Sequence, residues 1–171
     1  MSSSTDEQYG NIDFSAGDAG ASHTRPTAAN GLRVGGHVIL DGDKPCKIIQ
    51  IIKSKPGKHG HAKLVIAGTD IFTGKKHDGG GPAAHSMTVP VVKRNTYMLL
   101  YIKGQQKGGK EFLSLFDYDA RAEKPDDVKL PDGELGERIK AAFSDEKSID
   151  VVVLSAMGKE VVVDFSLAKN D

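Results

Sequence analysis

Apolar residues in this chain fall in short, β-branched runs separated by clusters of Gly, Pro, Asp and Lys. Val38-Ile39-Leu40, Cys46 to Ile52, Leu64 to Phe72 and Met87-Thr88-Val89 are each too short for an average helix, so they predict strands. Turns are expected at Asp41-Gly42-Asp43, in the lysine-rich stretch after Ile52, and at Asp78 to Pro82. Pro90 follows one strand signal and precedes another. Its missing N–H is tolerated at a strand start, so it marks the expected junction between two domains.

Beyond Pro90 the same punctuation continues. Val91-Val92, Tyr97 to Ile102, Phe112 to Phe116, Val128-Lys129-Leu130, Ile149 to Leu154 and Val161-Val162-Val163 are the strand candidates. One helix interrupts them, with Asp132 as the expected N-cap and Leu135, Ile139 and Phe143 recurring every four residues along a core-facing stripe. Gly104 to Lys110 reads as a long hairpin loop. The pattern predicts an all-β protein, an SH3-like barrel over 21–89 followed by an OB-fold barrel with one short helix over 90–171. Residues 1–20 have almost no apolar pattern and are expected to be a disordered acidic tail.

Composition refines this picture. The chain has 171 residues and a formal net charge of zero, yet the charge is unevenly placed. Residues 1–20 carry four acids and no Lys or Arg (−4), 21–89 carry ten bases and four acids (+6), and 90–171 carry thirteen bases and fifteen acids (−2). The middle block is therefore the anion-binding part. Its only Phe, Tyr or Trp is Phe72, so contacts to phosphate and sugar are expected there in preference to base stacking. No signal-peptide pattern or long apolar run occurs, so no membrane anchor is expected. Cys46 is the single cysteine; inside an apolar run it is expected to be a buried thiol.

The chemistry concentrates in Lys55-Pro56-Gly57-Lys58-His59-Gly60-His61-Ala62-Lys63, between two strand-like runs. Four lysines and no acid lie from Lys53 to Lys63, and Gly57 and Gly60 permit positive φ near the tip of the expected hairpin. Ordinary solvated lysines are the bland account. A phosphate-binding P-loop fails, because His59 follows Lys58 where Ser or Thr is required and Ile52 stands where the first glycine belongs. A metal site at His59 and His61, with His77 or His85, lacks a completing set of cysteines or carboxylates. Lys58 as a chemically used amine remains, since cationic neighbours disfavour its charged form. A second RNA contact through Lys103, Lys107 and Lys110 is weighed against a plain loop.

Lys55-x-Gly57-Lys58-His59-Gly60-His61-Ala62-Lys63, followed by Asp70-Ile71-Phe72-Thr73-Gly74-Lys75-Lys76, resembles the modified loop and following strand of the eukaryotic translation initiation factor 5A family. Gly17 to Ser22, Pro45-Cys46-Lys47-Ile48, Pro131 to Gly136 and Val153 to Met157 extend the resemblance over most of the chain. Pro56 departs from it, standing where the family has Thr or Ser, and so does the Gly79-to-Met87 stretch, which is more polar in the family.

The resemblance implies that Lys58 becomes hypusine, built from spermidine by deoxyhypusine synthase and deoxyhypusine hydroxylase. Gly57, His59, Gly60 and His61 would be the residues those enzymes recognise, and Lys53, Lys55 and Lys63 the contacts to ribosomal RNA or tRNA. It implies no cofactor, no catalytic residue and no metal. The implied role is a cytoplasmic factor, with a nuclear pool left open, that enters the ribosome beside the exit tRNA as a monomer or weak homodimer. There it would position peptidyl-tRNA, relieving stalls such as those at consecutive prolines and aiding termination. Two other classes stay in view: a self-assembling structural relative that has lost the loop, and a general RNA-binding module.

Overall fold

The computed structural model describes residues 22–55, 60–104 and 109–169. Their contacts divide into two compact units that meet between Val91 and Val92.

The first unit contains β1 (Thr24–Ala28), a 3-10 turn (Ala29–Gly31), β2 (His37–Leu40), β3 (Lys44–Ser54), β4 (Lys63–Asp70), β5 (Lys76–Pro82) and β6 (Ser86–Pro90). β2-β3-β4-β5 form an antiparallel sheet in that order, and β1 pairs with β6. Alternation explains the core: Leu64 and Ile66 of β4 point inward with Val38, Leu40, Cys46 and Ile48, while Lys63 and Val65 at the alternate positions face out. Cys46 is fully buried, and that burial, followed by the Asp70 carboxylate, pushes its thiol pKa up. An extra residue at Ile49 shifts the β3–β4 register between Ile48 and Gln50. The bulge turns the outer half of the hairpin relative to the inner half.

Three features differ from the sequence expectation. β1 has no apolar alternation to announce it; it exists because it pairs residue for residue with β6, from Thr24 opposite Pro90 to Ala28 opposite Ser86. Pro90 therefore ends a strand instead of starting one, and the Val91 N–H donates to the His23 carbonyl at 2.8 Å. The expected turn at Asp78 to Pro82 is most of β5, paired with β4 from Lys76 opposite Thr69 to Pro82 opposite Lys63. Glycine is used there for close approach. A Cβ at Gly79 would come within 2.7 Å of Leu40 Cδ2, and one at Gly80, whose φ is +146°, would collide with the Leu64 carbonyl oxygen. The β4 strand, in turn, ends at Asp70 and leaves Ile71 and Phe72 in a turn. Asp70 Oδ1 caps that turn, accepting from the N–H groups of Phe72 (2.8 Å) and Thr73 (3.2 Å).

The second unit contains β7 (Lys93–Gly104), β8 (Glu111–Asp117), β9 (Ala122–Glu123), β10 (Val128–Lys129), α1 (Glu134–Ser144), β11 (Ile149–Ala156) and β12 (Lys159–Leu167). The sheet runs β10-β8-β7-β11-β12, with β9 also on β8, and β10 approaches β12 to bring the two ends of the sheet together as an OB barrel. Bulges at Leu99/Tyr101 and Val152/Val153 add the curvature that closure requires. Leu113, Leu115, Ile149, Val151 and Val153 fill the interior, and Ile139 of α1 is fully buried among them, with Leu135 and Phe143 half-buried at its sides. Val91-Val92 are not a strand; β7 starts at Lys93. The N-cap is Gly133 at φ 77°, not Asp132, whose carboxylate instead pairs with Lys129 Nζ at 3.2 Å. Among the described residues no helix is long and apolar enough to cross a membrane.

Candidate functional site

The β3–β4 hairpin carries the lysine-rich loop. Its last registered pair is Ser54 opposite Lys63, next to Lys53 opposite Leu64, so the loop spans 55–62. Gly57, Lys58 and His59, like Pro56, lie outside the described residues, as does the tail at 1–20. The arms are fixed. Leu64 is anchored in the core at 4% exposure, Lys63 pairs on its other side with Pro82, and the Ala62 carbonyl accepts a 2.8 Å hydrogen bond from the Ala83 N–H. The base of the loop is thus held by β3, by β4 and by the turn after β5. Gly60 and Ala62 are half-buried against this base, whereas Lys53, Lys55, His61 and Lys63 are exposed.

Charge is segregated along the hairpin. The four acids of the basic block include Asp41 and Asp43 in the β2–β3 turn and the buried Asp70 at the end of β4, all at the end of the sheet away from the loop. They are also occupied: Asp41 Oδ2 lies 3.3 Å from His77 Nδ1, Asp43 Oδ1 lies 3.4 Å from Lys44 Nζ, and Asp70 caps its turn. Among the described residues Lys53, Lys55 and Lys63 have no carboxylate partner within ion-pair distance. An exposed cluster of unpaired cations on a rigid two-stranded arm is suited to phosphate-bearing partners.

Other candidate chemistry does not assemble. No group of three or more His, Cys, Asp or Glu side chains comes together among the described residues, and His77 is tied to Asp41. His37, opposite Lys47 on the outer sheet face, has its pKa lowered first by burial and then by that lysine. Lys103 does not present a free charge: Asp127 Oδ2 holds its Nζ at 3.0 Å, and the same nitrogen lies 5.0 Å from the Tyr101 ring centroid. Lys110 is exposed, and Lys107 lies outside the described residues. Sequence reasoning missed the half-exposed pair Ile52 and Val65, opposite each other on the outer face of the hairpin. Its only signal was that both sit on the polar phase of their strands.

A barrel bearing a cationic hairpin, with Gly57-Lys58-His59-Gly60-His61 in its loop sequence and an OB barrel after it, defines a class of translation factor. The N-terminal domain model "Translation initiation factor 5A-like" matches residues 22–85, and "Eukaryotic elongation factor 5A hypusine, DNA-binding OB fold" matches residues 91–166. The chain is 45% identical over 155 residues to eukaryotic translation initiation factor 5A-1 of Saccharomyces cerevisiae, covering 91% of this chain and 93% of the relative. To factor 5A-2 of Schizosaccharomyces pombe it is 44% identical over 152 residues, covering 89% and 85%. Among solved structures, a translation initiation factor 5A family protein from Naegleria fowleri superposes with a TM-score of 0.75 at 44% identity, over 85% of this chain and 100% of that one. The chain belongs to the eukaryotic translation initiation factor 5A family, a family of translation factors and not of enzymes.

Proposed function

We propose that this protein acts on the ribosome beside the exit tRNA and uses a hypusine side chain at Lys58 to position the end of peptidyl-tRNA, relieving stalls in elongation, notably at consecutive prolines, and aiding termination. The observation that carries the reading is the intact Gly57-Lys58-His59-Gly60-His61 sequence on a hairpin whose flanking Lys53, Lys55 and Lys63 are exposed and without carboxylate partners among the described residues. Those three lysines contact phosphate; Gly57, His59, Gly60 and His61 are read by deoxyhypusine synthase and deoxyhypusine hydroxylase. The factor supplies orientation, which can lower a barrier by several kcal/mol without a catalytic group or a cofactor of its own. It works in the cytoplasm, as a monomer or weak homodimer.

Peptide mass spectrometry on protein from its own cells tests the first step. The peptide containing Lys58 carries the added hydroxylated aminobutyl group and no other lysine does. Plain lysine at Lys58 in all native protein removes the reading. The intact Gly57-Lys58-His59-Gly60-His61 sequence supports this function over a self-assembling structural relative that has lost the loop. Size-exclusion chromatography over a range of concentrations should show nothing larger than a dimer, whereas growth into larger species would favour the assembler.

A further inference from the structure

The outer face of the second barrel holds a built surface that neither the loop nor the core explains. Asp150 of β11 stands opposite Met98 of β7, Met98 opposite Phe116 of β8, and Phe116 opposite Glu123 of β9. Directly opposed residues share a sheet face, so this is one row with an apolar middle and a carboxylate at each end. Two tyrosines flank it. Tyr118 reaches from the turn after β8 to donate its hydroxyl to Asp150 Oδ1 at 2.6 Å, and packs edge-on to Phe116 with ring centroids 6.0 Å apart. Tyr101, opposite Ser114, donates to Glu123 Oε1 at 3.3 Å, and the buried Ser114 hydroxyl donates to the same oxygen at 2.5 Å. Both rings are left 43–45% exposed although their polar ends are engaged.

We infer that this row is a docking surface for an arginine-bearing segment of a protein partner. The exposed rings offer π-faces, which attract cations, and the structure already uses one in this way: Lys103 Nζ sits 5.0 Å from the Tyr101 centroid. Among the described residues, Glu123 Oε2 and Asp150 Oδ2 have no hydrogen-bond partner, so each carboxylate retains an oxygen for an incoming donor. A guanidinium is planar, stacks on a ring and bonds a carboxylate at the same time, which an ammonium does less well. The two terminal carboxylates and the net −2 of residues 90–171 disfavour nucleic acid on this face.

The test is a titration of the full-length, isotope-labelled protein with an acetylated and amidated Gly-Arg-Gly-Arg-Gly-Arg-Gly peptide, followed by amide chemical shifts. Shifts should concentrate at Met98, Phe116, Tyr118, Glu123 and Asp150. The matching lysine peptide should bind about three- to fivefold more weakly, as should the arginine peptide to Tyr118→Ala or Glu123→Gln. Tyr118→Phe, which keeps the ring and frees the Asp150 carboxylate, should bind at least as well as wild type. That variant keeps the test sharp if Tyr118→Ala loses its dispersed spectrum. Shifts elsewhere, equal binding of the two peptides, or tighter binding of an oligouridylate at the same residues would overturn the inference.

Discussion

The two barrels use lysine in opposite ways. In the first, Lys53, Lys55 and Lys63 stand exposed at the loop end of a hairpin whose acids are held at the other end. In the second, four of the nine described lysines are tied down: Lys103 to Asp127 at 3.0 Å, Lys124 to Glu160 at 2.7 Å, Lys129 to Asp132 at 3.2 Å and Lys140 to Glu111 at 3.0 Å. The Asp127 and Glu111 contacts raise the pKa of Lys103 and Lys140. Net charge per domain understates this contrast. Thirteen bases in residues 90–171 suggest an RNA-binding face, yet four of them, Lys103, Lys124, Lys129 and Lys140, already have a carboxylate partner. A cation already neutralised by a neighbour releases few counterions on meeting a phosphate.

The largest effect should come from Lys58→Arg. Arginine keeps the charge on the loop, so stability should change by less than about 0.5 kcal/mol. Its guanidinium cannot accept an aminobutyl group as a primary amine does, so the diamine side chain is never built. In a depleted translation extract reading consecutive prolines, wild type from native cells should restore synthesis and the arginine variant should not. Full rescue by the variant would reduce Lys58 to an ordinary charge contact.

Next in size is Gly136→Ala, which breaks the second barrel while leaving the first intact. Alanine should gain about 1 kcal/mol of helix propensity over glycine. Against this, a Cβ at buried Gly136 would run into the Pro131 carbonyl oxygen, a backbone atom that cannot turn aside. The steric term should win, with a net loss of about 2 kcal/mol in denaturant unfolding. An unchanged or raised midpoint would mean that the Pro131–α1 junction yields enough to admit a methyl group.

The lysine contrast itself is tested by charge removal. Changing Lys53, Lys55 and Lys63 together to Gln should flatten the salt dependence of ribosome binding by about two to three in log–log slope, with little change in melting temperature. Lys124→Met should do the reverse. Lys124 is only 10% exposed and also donates to the Asp126 carbonyl at 3.0 Å, so its loss should cost about 1–2 kcal/mol of stability and leave the salt slope alone. Equal salt slopes for the two variants would erase the distinction between the barrels.

Much of this architecture was legible because strong apolar runs in β3, β4, β8 and β11 carry their own period, and because the loop residues keep their spacing. What escaped has physical reasons. β1 and β5 are strands by pairing, not propensity: Thr24 to Ala28 has almost no apolar content, and Gly79-Gly80-Gly81 looks like a turn until Leu40 and Leu64 are seen to leave no room for a side chain. The helix cap fell one residue later, at Gly133, where φ is 77°, and the Asp132 carboxylate lies against Lys129. The Asp150–Met98–Phe116–Glu123 row could not be read at all. It joins four strands whose register depends in part on the bulge at Leu99/Tyr101, and no local pattern encodes that alignment.

The smallest effect probes that row directly. The hydrogen bond from Tyr118 to Asp150, reinforced by partial burial and the carboxylate's charge, pushes the Tyr118 pKa up to about 12 from 10. A raised folded-state pKa favours the protonated phenol. The stabilisation is therefore fully present below the unfolded pKa near 10, declines above it, and is lost as pH rises through about 12. Ultraviolet titration of wild type minus Tyr118→Phe should isolate one phenolate transition near 12, and Asp150→Asn should bring it down by removing the charged acceptor. No lysine of the first hairpin should influence the transition, so Lys53→Gln serves as the control. A Tyr118 midpoint near the ordinary tyrosine value would show that the hydroxyl is not held by Asp150 in solution, while the contrast in lysine pairing would stand.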